Sequence, residues 1–334
     1  MMRRTLRIRL VFCFLCIVII IGLLVGEIFA QQNVITLRLG HIFPITHPIQ
    51  KATLAMADYV KEKSDGKLII DVHPQGALGA GNTLVENISL GTVDIGTGGP
   101  GLLSRLEPAW GLIAGQYVFK DAESMFKVLD GPIGDEIRDR LISKRDIRVL
   151  AIGYLGARHL TANKPIYEPE DLKGLKIRIP NIPLRNASFI AWDASPTPMA
   201  FAEVYLALRQ GVVDGQENPL PQIIAAKFYE VQKYLILTGH ALNPEILLIG
   251  EKKFQSLPEE YRNILLKGAK IFEENSFKEY NTMKYELLEQ LLDEGMIVMK
   301  PNIEKFREAV KDVPYEFEKE WGEGLYDRIL KAQE

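Results

Sequence analysis

One side chain in this sequence combines a strong anion-binding group with a place at the end of a strand, and it is Arg178. The alternating apolar pattern of residues 175–179 predicts a short strand, and Pro180 ends it. Open α/β sheets bind ligands at the carboxyl ends of their strands, and a guanidinium holds a carboxylate through two hydrogen bonds. The pattern therefore predicts a carboxylate site at Arg178, with a solvated arginine on an edge strand as the alternative.

Asn218 is a second candidate for holding an anion. A residue before proline avoids the α region, and proline favours the first helical position, so Asn218 is expected to cap a helix from Pro219 to about Gln232. Helix N-termini attract anions. A plain helix cap without a ligand explains Asn218 equally well.

The length and composition indicate an exported protein of two domains. A chain of 334 residues with 47% apolar residues can bury a substantial core. Four arginines precede an apolar run from Leu10 to about Phe29, and Ala30 predicts the cleavage site of a signal peptide over residues 1–30. An uncut signal anchor is the alternative. Cleavage would remove both cysteines, so neither disulfides nor thiol chemistry are expected in the mature chain.

The net charge excludes a general attraction for nucleic acid. Loss of residues 1–30, which hold four arginines and one glutamate, lowers the formal charge from −3 to −6. An acidic protein presents no broad positive field to a polyanion. An anionic ligand therefore needs a local pocket of positive charge.

Strand and helix patterns alternate along the chain and predict an α/β fold. Residues 34–40 and 67–73 read as strands joined by a helix, which implies a parallel pair. Apolar strands at 148–155, continuing to 163, and at 234–237 and 246–249 are expected to cross between the domains as a hinge. A nearly proline-free pattern from Pro258 to about Glu294 predicts a long helix that braces both domains unless it breaks at Gly268.

Residues 96–101 match the pattern GxGxxG and raise the alternative of a dinucleotide-binding enzyme. The match follows the third predicted strand instead of the first, and Pro100 would interrupt the phosphate-cradling turn. A loop whose backbone approaches a ligand or the other domain is the plainer interpretation.

No other pattern indicates catalysis or metal binding. His41 and His47 are six positions apart and the remaining three histidines are isolated, which is not a metal-ligand spacing. Nucleophile-elbow and P-loop motifs do not occur. The sequence thus predicts no catalytic residue, no metal and no cofactor.

Three segments in this order resemble the substrate-binding proteins of tripartite ATP-independent periplasmic (TRAP) transporters. They are GLKIRIP (174–180), SPTPMAFAEVYLALRQGVVDGQENPL (195–220) and AAKFYEVQKYL (225–235). The resemblance covers nearly all of the mature chain. It implies a two-domain fold like that of periplasmic binding proteins, with domain I at 31–155 plus 244–283 and domain II at 156–243 plus 284–334.

The resemblance also implies a binding site between the domains. In that family an arginine matching Arg178 holds the substrate carboxylate, and an asparagine matching Asn218 helps to fix the ligand. The family also suggests Phe201 as a lining residue, with packing between helix and sheet as an equal alternative. The implied contacts are Arg178, Arg158, Asn218, Asn181 and Phe201 from domain II, and His41, Gln75, Thr97 and Gly98 from loops of domain I.

The implied function is that of a periplasmic receptor which binds a small organic acid and delivers it to the TRAP membrane permease. The segments Gly79-Ala80-Gly81 and Gly98-Gly99 lie where sialic-acid binders place acidic side chains, which argues against sialic acid. Sugar acids and C4-dicarboxylates remain as ligands. A receptor that reports to a membrane sensor is a further alternative, and a homodimer is left open.

Overall fold

The computed structural model describes residues 34–334. The predicted signal peptide, residues 1–30, lies outside the described residues. The strands are β1 (Ile35–Gly40), β2 (Leu68–His73), β3 (Ile95–Gly98), β4 (Ile147–Ala162), β5 (Lys176–Ile179), β6 (Ser195–Pro198), β7 (Gly215–Pro219), β8 (Tyr234–Gly250) and β9 (Ile297–Met299).

Helices cover both faces of the sheet that these strands form. They are α1 (Pro48–Lys63), α2 (Asn82–Ser89), α3 (Pro100–Leu103), α4 (Ala109–Ile113), α5 (Ala122–Leu129), α6 (Pro132–Arg145), α7 (Pro183–Ala191), α8 (Val204–Arg209), α9 (Leu220–Ala225), α10 (Glu251–Ser256), α11 (Glu259–Asp293), α12 (Ile303–Val310), α13 (Glu318–Trp321) and α14 (Leu325–Ala332). No helix within residues 34–334 has the length and apolar composition that crossing a membrane requires.

The strands form one mixed sheet in the order β2-β1-β3-β8-β4-β7-β5-β6, with β9 also paired to β8. The pairs β1–β2 and β1–β3 are parallel, as the strand–helix–strand pattern predicts, and so are β5–β6 and β5–β7. We call β1 to β3 with the adjoining ends of β4 and β8 the first lobe. The second lobe holds β5 to β7, β9 and the other ends of β4 and β8.

Two long antiparallel strands, β4 and β8, join the lobes. The apolar patterns of the sequence indicate separate short strands, whereas each crossing segment is a single strand of 16 or 17 residues. Each strand satisfies the backbone groups of the other, so the ladder continues through less apolar residues. Its register shifts between Tyr154 and Ala157, where Gly156 has a φ of +97° that favours glycine.

The long helix α11 spans both lobes, as the sequence predicts. Phe272 packs in the first-lobe core, Tyr280 packs beside the crossing strands, and Leu291 packs in the second-lobe core. The helix runs for 35 residues without a break at Gly268. A Cβ at Gly268 would lie 2.7 Å from a methyl group of Val60 on α1, so glycine permits close packing of the two helices.

The C-terminal helices return to helices that precede the crossing strands. Arg140 on α6 donates a hydrogen bond of 2.7 Å to the carbonyl of Trp321, and the Gln333 amide accepts from the backbone of Lys120 at 2.9 Å. The last helices thus add contacts between distant parts of the chain.

Candidate functional site

Three neighbouring strands of the second lobe carry the polar residues of the candidate site. In the register, Arg178 on β5 lies beside Gln216 on β7, and Asn218 lies opposite His159 on β4. Alternation along the strands puts Arg178, Gln216 and Asn218 on one face of the sheet. Glu217 alternates to the other face, and the guanidinium of Arg158, at the end of the β4–β7 ladder, bonds both Glu217 and Asn218.

Arg178 is buried, with 3% of its surface exposed. Strand β5 lies between β6 and β7, so the alternative of a solvated arginine on an edge strand is wrong. Its Nε and Nη2 both donate to the carbonyl of Met199, at 3.2 and 2.7 Å. Burial lowers the pKa of Arg178 to about 10. Within residues 34–334 the guanidinium forms no salt bridge, so its charge has no bonded counter-ion.

Asn218 is a strand residue and not the predicted helix cap. Helix α9 begins at Leu220 and its preceding residue, Pro219, makes no side-chain cap. The backbone of Asn218 instead continues the ladder with β4, a tertiary interaction that overrides the local preference for a cap. Its side-chain amide donates to Gln216 at 2.6 Å, and its oxygen accepts from Arg158 at 3.0 Å.

A buried carboxylate, Glu217, organises two further arginines. Arg158 binds it through Nε and Nη2, and Arg185 on α7 donates from Nη1 to the same carboxylate at 3.2 Å. Arg158 also donates to Asn243 at 2.7 Å. The predicted ligand contact Arg158 is therefore engaged with protein groups on several sides.

The charges of this cluster do not balance. Burial raises the pKa of Glu217, but Arg158 and Arg185 outweigh it and hold the pKa well below its usual range. His240 contacts the Glu217 carboxylate at 3.0 Å, and burial lowers the pKa of His240, which favours the neutral ring. Arg158 and Arg185 therefore share one carboxylate, and Arg178, whose charge interacts with theirs, forms no salt bridge within residues 34–334.

The predicted first-lobe contacts lie at one edge of the sheet, where β1, β2 and β3 end. Thr97 and Gly98 are the buried last residues of β3, and His41 follows β1 directly. His41 is fully buried; its Nδ1 accepts from the backbone of Phe43 at 3.2 Å, so its Nε2 donates to the Gln50 oxygen at 2.6 Å.

Gln75 and Asn181 lie on exposed loops, and Phe201 begins a short, exposed 3-10 helix, Phe201–Glu203. Gln75 follows β2 with a φ of +57°, and Asn181 follows β5. Phe201 is 37% exposed, and its ring centre lies 6.0 Å from the Arg178 guanidinium and 6.0 Å from the ring of Phe228. Phe201 thus lies beside both the Phe228 ring and the Arg178 guanidinium.

The glycine-rich segment 96–101 is a contact between the lobes. Only a four-residue helix, α3, follows β3, and it begins at Pro100, unlike the long helix of a dinucleotide site. A Cβ at Gly101 would lie 2.2 Å from Ile182 of the second lobe. Close approach of the backbone to the other lobe, the plainer interpretation of the motif, is therefore confirmed.

Arg185, Glu217 and Glu245 are buried polar residues that sequence reasoning missed. Arg185 lies on the buried face of α7 with Ser188 and Phe189. This helical spacing could have indicated from the sequence that Arg185 is buried. Glu245 interrupts the apolar end of β8 and is only 4% exposed. Residues 34–334 hold no group of three or more His, Cys, Asp or Glu side chains placed to bind a metal ion.

Comparison with known proteins identifies the family. The model of "Bacterial extracellular solute-binding protein, family 7" matches residues 39–320. The chain is 33% identical to the sialic acid-binding periplasmic protein SiaP of Vibrio cholerae, over 88% of this chain and 92% of that one. It is 35% identical to the 2,3-diketo-L-gulonate-binding periplasmic protein YiaO of Escherichia coli, over 70% and 71% of the two chains.

A solved structure shares the fold. The TRAP periplasmic solute binding protein from Roseobacter denitrificans with bound L-galactonate superposes with a TM-score of 0.83 at 33% identity, covering 91% of this chain and 100% of that one. The predicted two-domain α/β fold is therefore confirmed, and the alternative of a dinucleotide-dependent enzyme is wrong. The chain belongs to the bacterial extracellular solute-binding proteins of family 7, the periplasmic receptors that bind carboxylates for TRAP transporters.

Proposed function

We propose that this receptor binds a sugar acid between its lobes, with Arg178 as the anchor of the ligand carboxylate. The observation that carries the proposal is the buried Arg178 guanidinium, which a neutral carbonyl holds in place without neutralising it. Burying a charge without a counter-ion is costly, and a carboxylate bound in two-pronged geometry removes that cost.

The ligands of related proteins support a sugar acid. The solved relatives hold L-galactonate in the Roseobacter denitrificans protein and D-erythronate in the protein from Polaromonas, and YiaO is named for 2,3-diketo-L-gulonate. All three compounds join one carboxylate to several oxygen-bearing carbons. A C4-dicarboxylate, the other ligand class that the sequence allows, serves as the comparison in the binding experiment.

Asn218, Arg158 and Asn181 complete the polar shell of the second lobe in this proposal. Phe201 covers the ligand beside Arg178, and His41, Gln75, Thr97 and Gly98 come from the first lobe. A ligand that touches both lobes only when they are together shifts the protein toward the closed state. The domain bounds predicted from the sequence, 31–155 plus 244–283 and 156–243 plus 284–334, describe the two bodies that would move.

The test is calorimetric titration of residues 31–334 with L-galactonate, D-galacturonate and succinate. Arg178→Ala should weaken sugar-acid binding by about 2–5 kcal/mol, because the carboxylate loses its charged partner. Lys176→Ala is the matched control, since Lys176 lies on the same strand with an exposed side chain. Binding by Arg178→Ala within threefold of the wild type would show that another group anchors the ligand.

The remaining parts of the proposal concern the partners and the N-terminus. A signal peptide cleaved near Ala30 would release the receptor into the periplasm, whereas an uncut segment would anchor it to the membrane. Capture of a TRAP permease by the loaded receptor, and not of a sensor kinase, would distinguish transport from signalling. The homodimer left open by the sequence has no support in the comparisons with known proteins and plays no part in the proposal.

A further inference from the structure

Glu245 lies in the first lobe beside the end of β3 and is not used by any interaction described above. In the β3–β8 ladder Thr97 lies opposite Leu247, so Glu245 is the diagonal neighbour of Thr97 on the same face. Because β8 runs antiparallel to β3, Glu245 stands at the edge where β3 ends. This is the edge that faces ligands in open α/β sheets.

Both side chains are buried and lack strong partners. Glu245 and Thr97 are each 4% exposed. The Thr97 hydroxyl makes no hydrogen bond of good geometry within residues 34–334, and Glu245 forms no salt bridge there. Opposite Glu245 on β4 is Gly153, which brings no polar side chain. The Thr97 hydroxyl lies near the Glu245 carboxyl but is poorly aligned with it, so this buried pair retains capacity to bind a further polar group.

The titratable groups on the elements packed around Glu245 do not provide a counter-ion. These groups are His41 after β1, His47 at the start of α1, Glu273 and Tyr280 on α11, and Arg158 on β4. Burial lowers the pKa of His41 and lowers that of His47 to about 3, so both rings are neutral near pH 7. Arg158 is bound to Glu217 and Asn243.

We propose that Glu245 and Thr97 form the hydroxyl-binding subsite of the first lobe, and that Glu245 excludes ligands with a second carboxylate at that end. The inference rests on the proposed function, since it needs a ligand whose first carboxylate is held at Arg178. A hydroxyl group satisfies the Glu245 carboxylate as a donor and the Thr97 hydroxyl as a partner. A second carboxylate can donate to neither and meets a like charge in a poorly solvated place.

The subsite has a distinctive pH dependence. Burial raises the pKa of Glu245 to about 7, and the Thr97 hydroxyl opposes this shift only in part. Glu245 is therefore ionised at pH 8.5, where it repels a second carboxylate, and protonated at pH 5.5, where it can donate to one. Sugar-acid carboxylates stay ionised over this range. Discrimination against dicarboxylates should weaken as the pH falls.

The experiment compares L-galactonate with galactarate, which differs only in having a carboxylate in place of the C6 hydroxymethyl group. The wild type should prefer galactonate at pH 8.5, and this preference should fall at least fivefold at pH 5.5. Glu245→Gln should reduce the preference at least tenfold at pH 8.5 and make it independent of pH. Because burial also raises the pKa of Glu273, Glu273→Gln is the control that should keep the wild-type pH profile.

Each outcome has one meaning. If the preference of the wild type for galactonate over galactarate does not change with pH, the inference is wrong. This measurement needs no variant, so it remains decisive if Glu245→Gln fails to fold. If galactonate binding needs Arg178 but the preference is the same in Glu245→Gln, the subsite is wrong and the proposed function stands. If the wild type binds neither acid, both the proposed ligand class and the subsite are wrong.

Discussion

Replacing Glu217 by glutamine should destabilise the folded chain strongly. The substitution keeps the shape of the side chain but removes the carboxylate that Arg158 and Arg185 share. Glu217 is fully buried, and the two arginines are 6% and 2% exposed, so water cannot replace the lost partner. Breaking a buried ion pair by removing one partner costs about 3–5 kcal/mol. That is a large part of the 5–15 kcal/mol by which folded proteins are usually stable.

The assay is urea denaturation at pH 7 without ligand, followed by circular dichroism. Glu304→Gln is the matched control, because Glu304 pairs with Arg307 at 2.9 Å but both side chains are at least half exposed. Exposed pairs contribute little, so the control should unfold like the wild type. A Glu217→Gln variant within about 1 kcal/mol of the wild type would refute the role of Glu217 as the shared counter-ion.

The same ion pairs determine how the contribution of Glu217 to folding stability depends on pH. The pKa of Glu217 is lower in the folded chain than in the unfolded one, where a glutamate has a pKa of about 4.3. Its stabilising effect is therefore present in full above that value and is lost as the pH falls through the folded pKa. The difference in stability between the wild type and Glu217→Gln should be constant from pH 6 to 8 and should shrink in acid.

Two further substitutions test the hinge and the cleft. Gly156→Ala should lower stability by about 2–4 kcal/mol, because its φ of +97° strains an alanine and its Cβ would lie 2.1 Å from the Tyr280 ring. Gly66→Ala has a φ of +73° but no atom within 4 Å, so urea denaturation should show a smaller loss from strain alone. Phe201→Ala should weaken L-galactonate binding by about twofold to fivefold through the lost contact with the cation, with an unchanged melting temperature. A fall of several degrees would assign Phe201 to packing instead.

The local patterns predict much of the fold because they depend on nearby residues. The alternation before Pro180 predicts β5, and α11 ends within one residue of its predicted end, Glu294. The helix cap predicted at Asn218 is wrong because the conformation of this residue depends on a distant one. Its pairing partner on β4, His159, lies far away in the sequence. A local preference of about 1 kcal/mol yields to a hydrogen-bonded ladder.

The buried cluster could not be predicted as a set. Arg158 lies 59 positions from Glu217 and Arg185 lies 32 positions from it. Nothing in the spacing says that these residues meet, because a β-strand crossing and a helix bring them together. Arg158 was predicted from the family resemblance alone, and no pattern in the sequence indicated that Glu217 is its ion-pair partner.

The partners of the three arginines explain why Arg178 should hold the ligand. Arg158 and Arg185 share the Glu217 carboxylate, and Arg185 also donates to the carbonyl of Ala114 at 2.8 Å. A ligand carboxylate at either residue would have to compete with an ion pair that is already formed. Within residues 34–334 Arg178 donates hydrogen bonds only to the neutral carbonyl of Met199, through its Nε and Nη2, and burial has already lowered its pKa. An incoming carboxylate therefore gains the most at Arg178, where it relieves an unfavourable burial of charge without breaking a salt bridge.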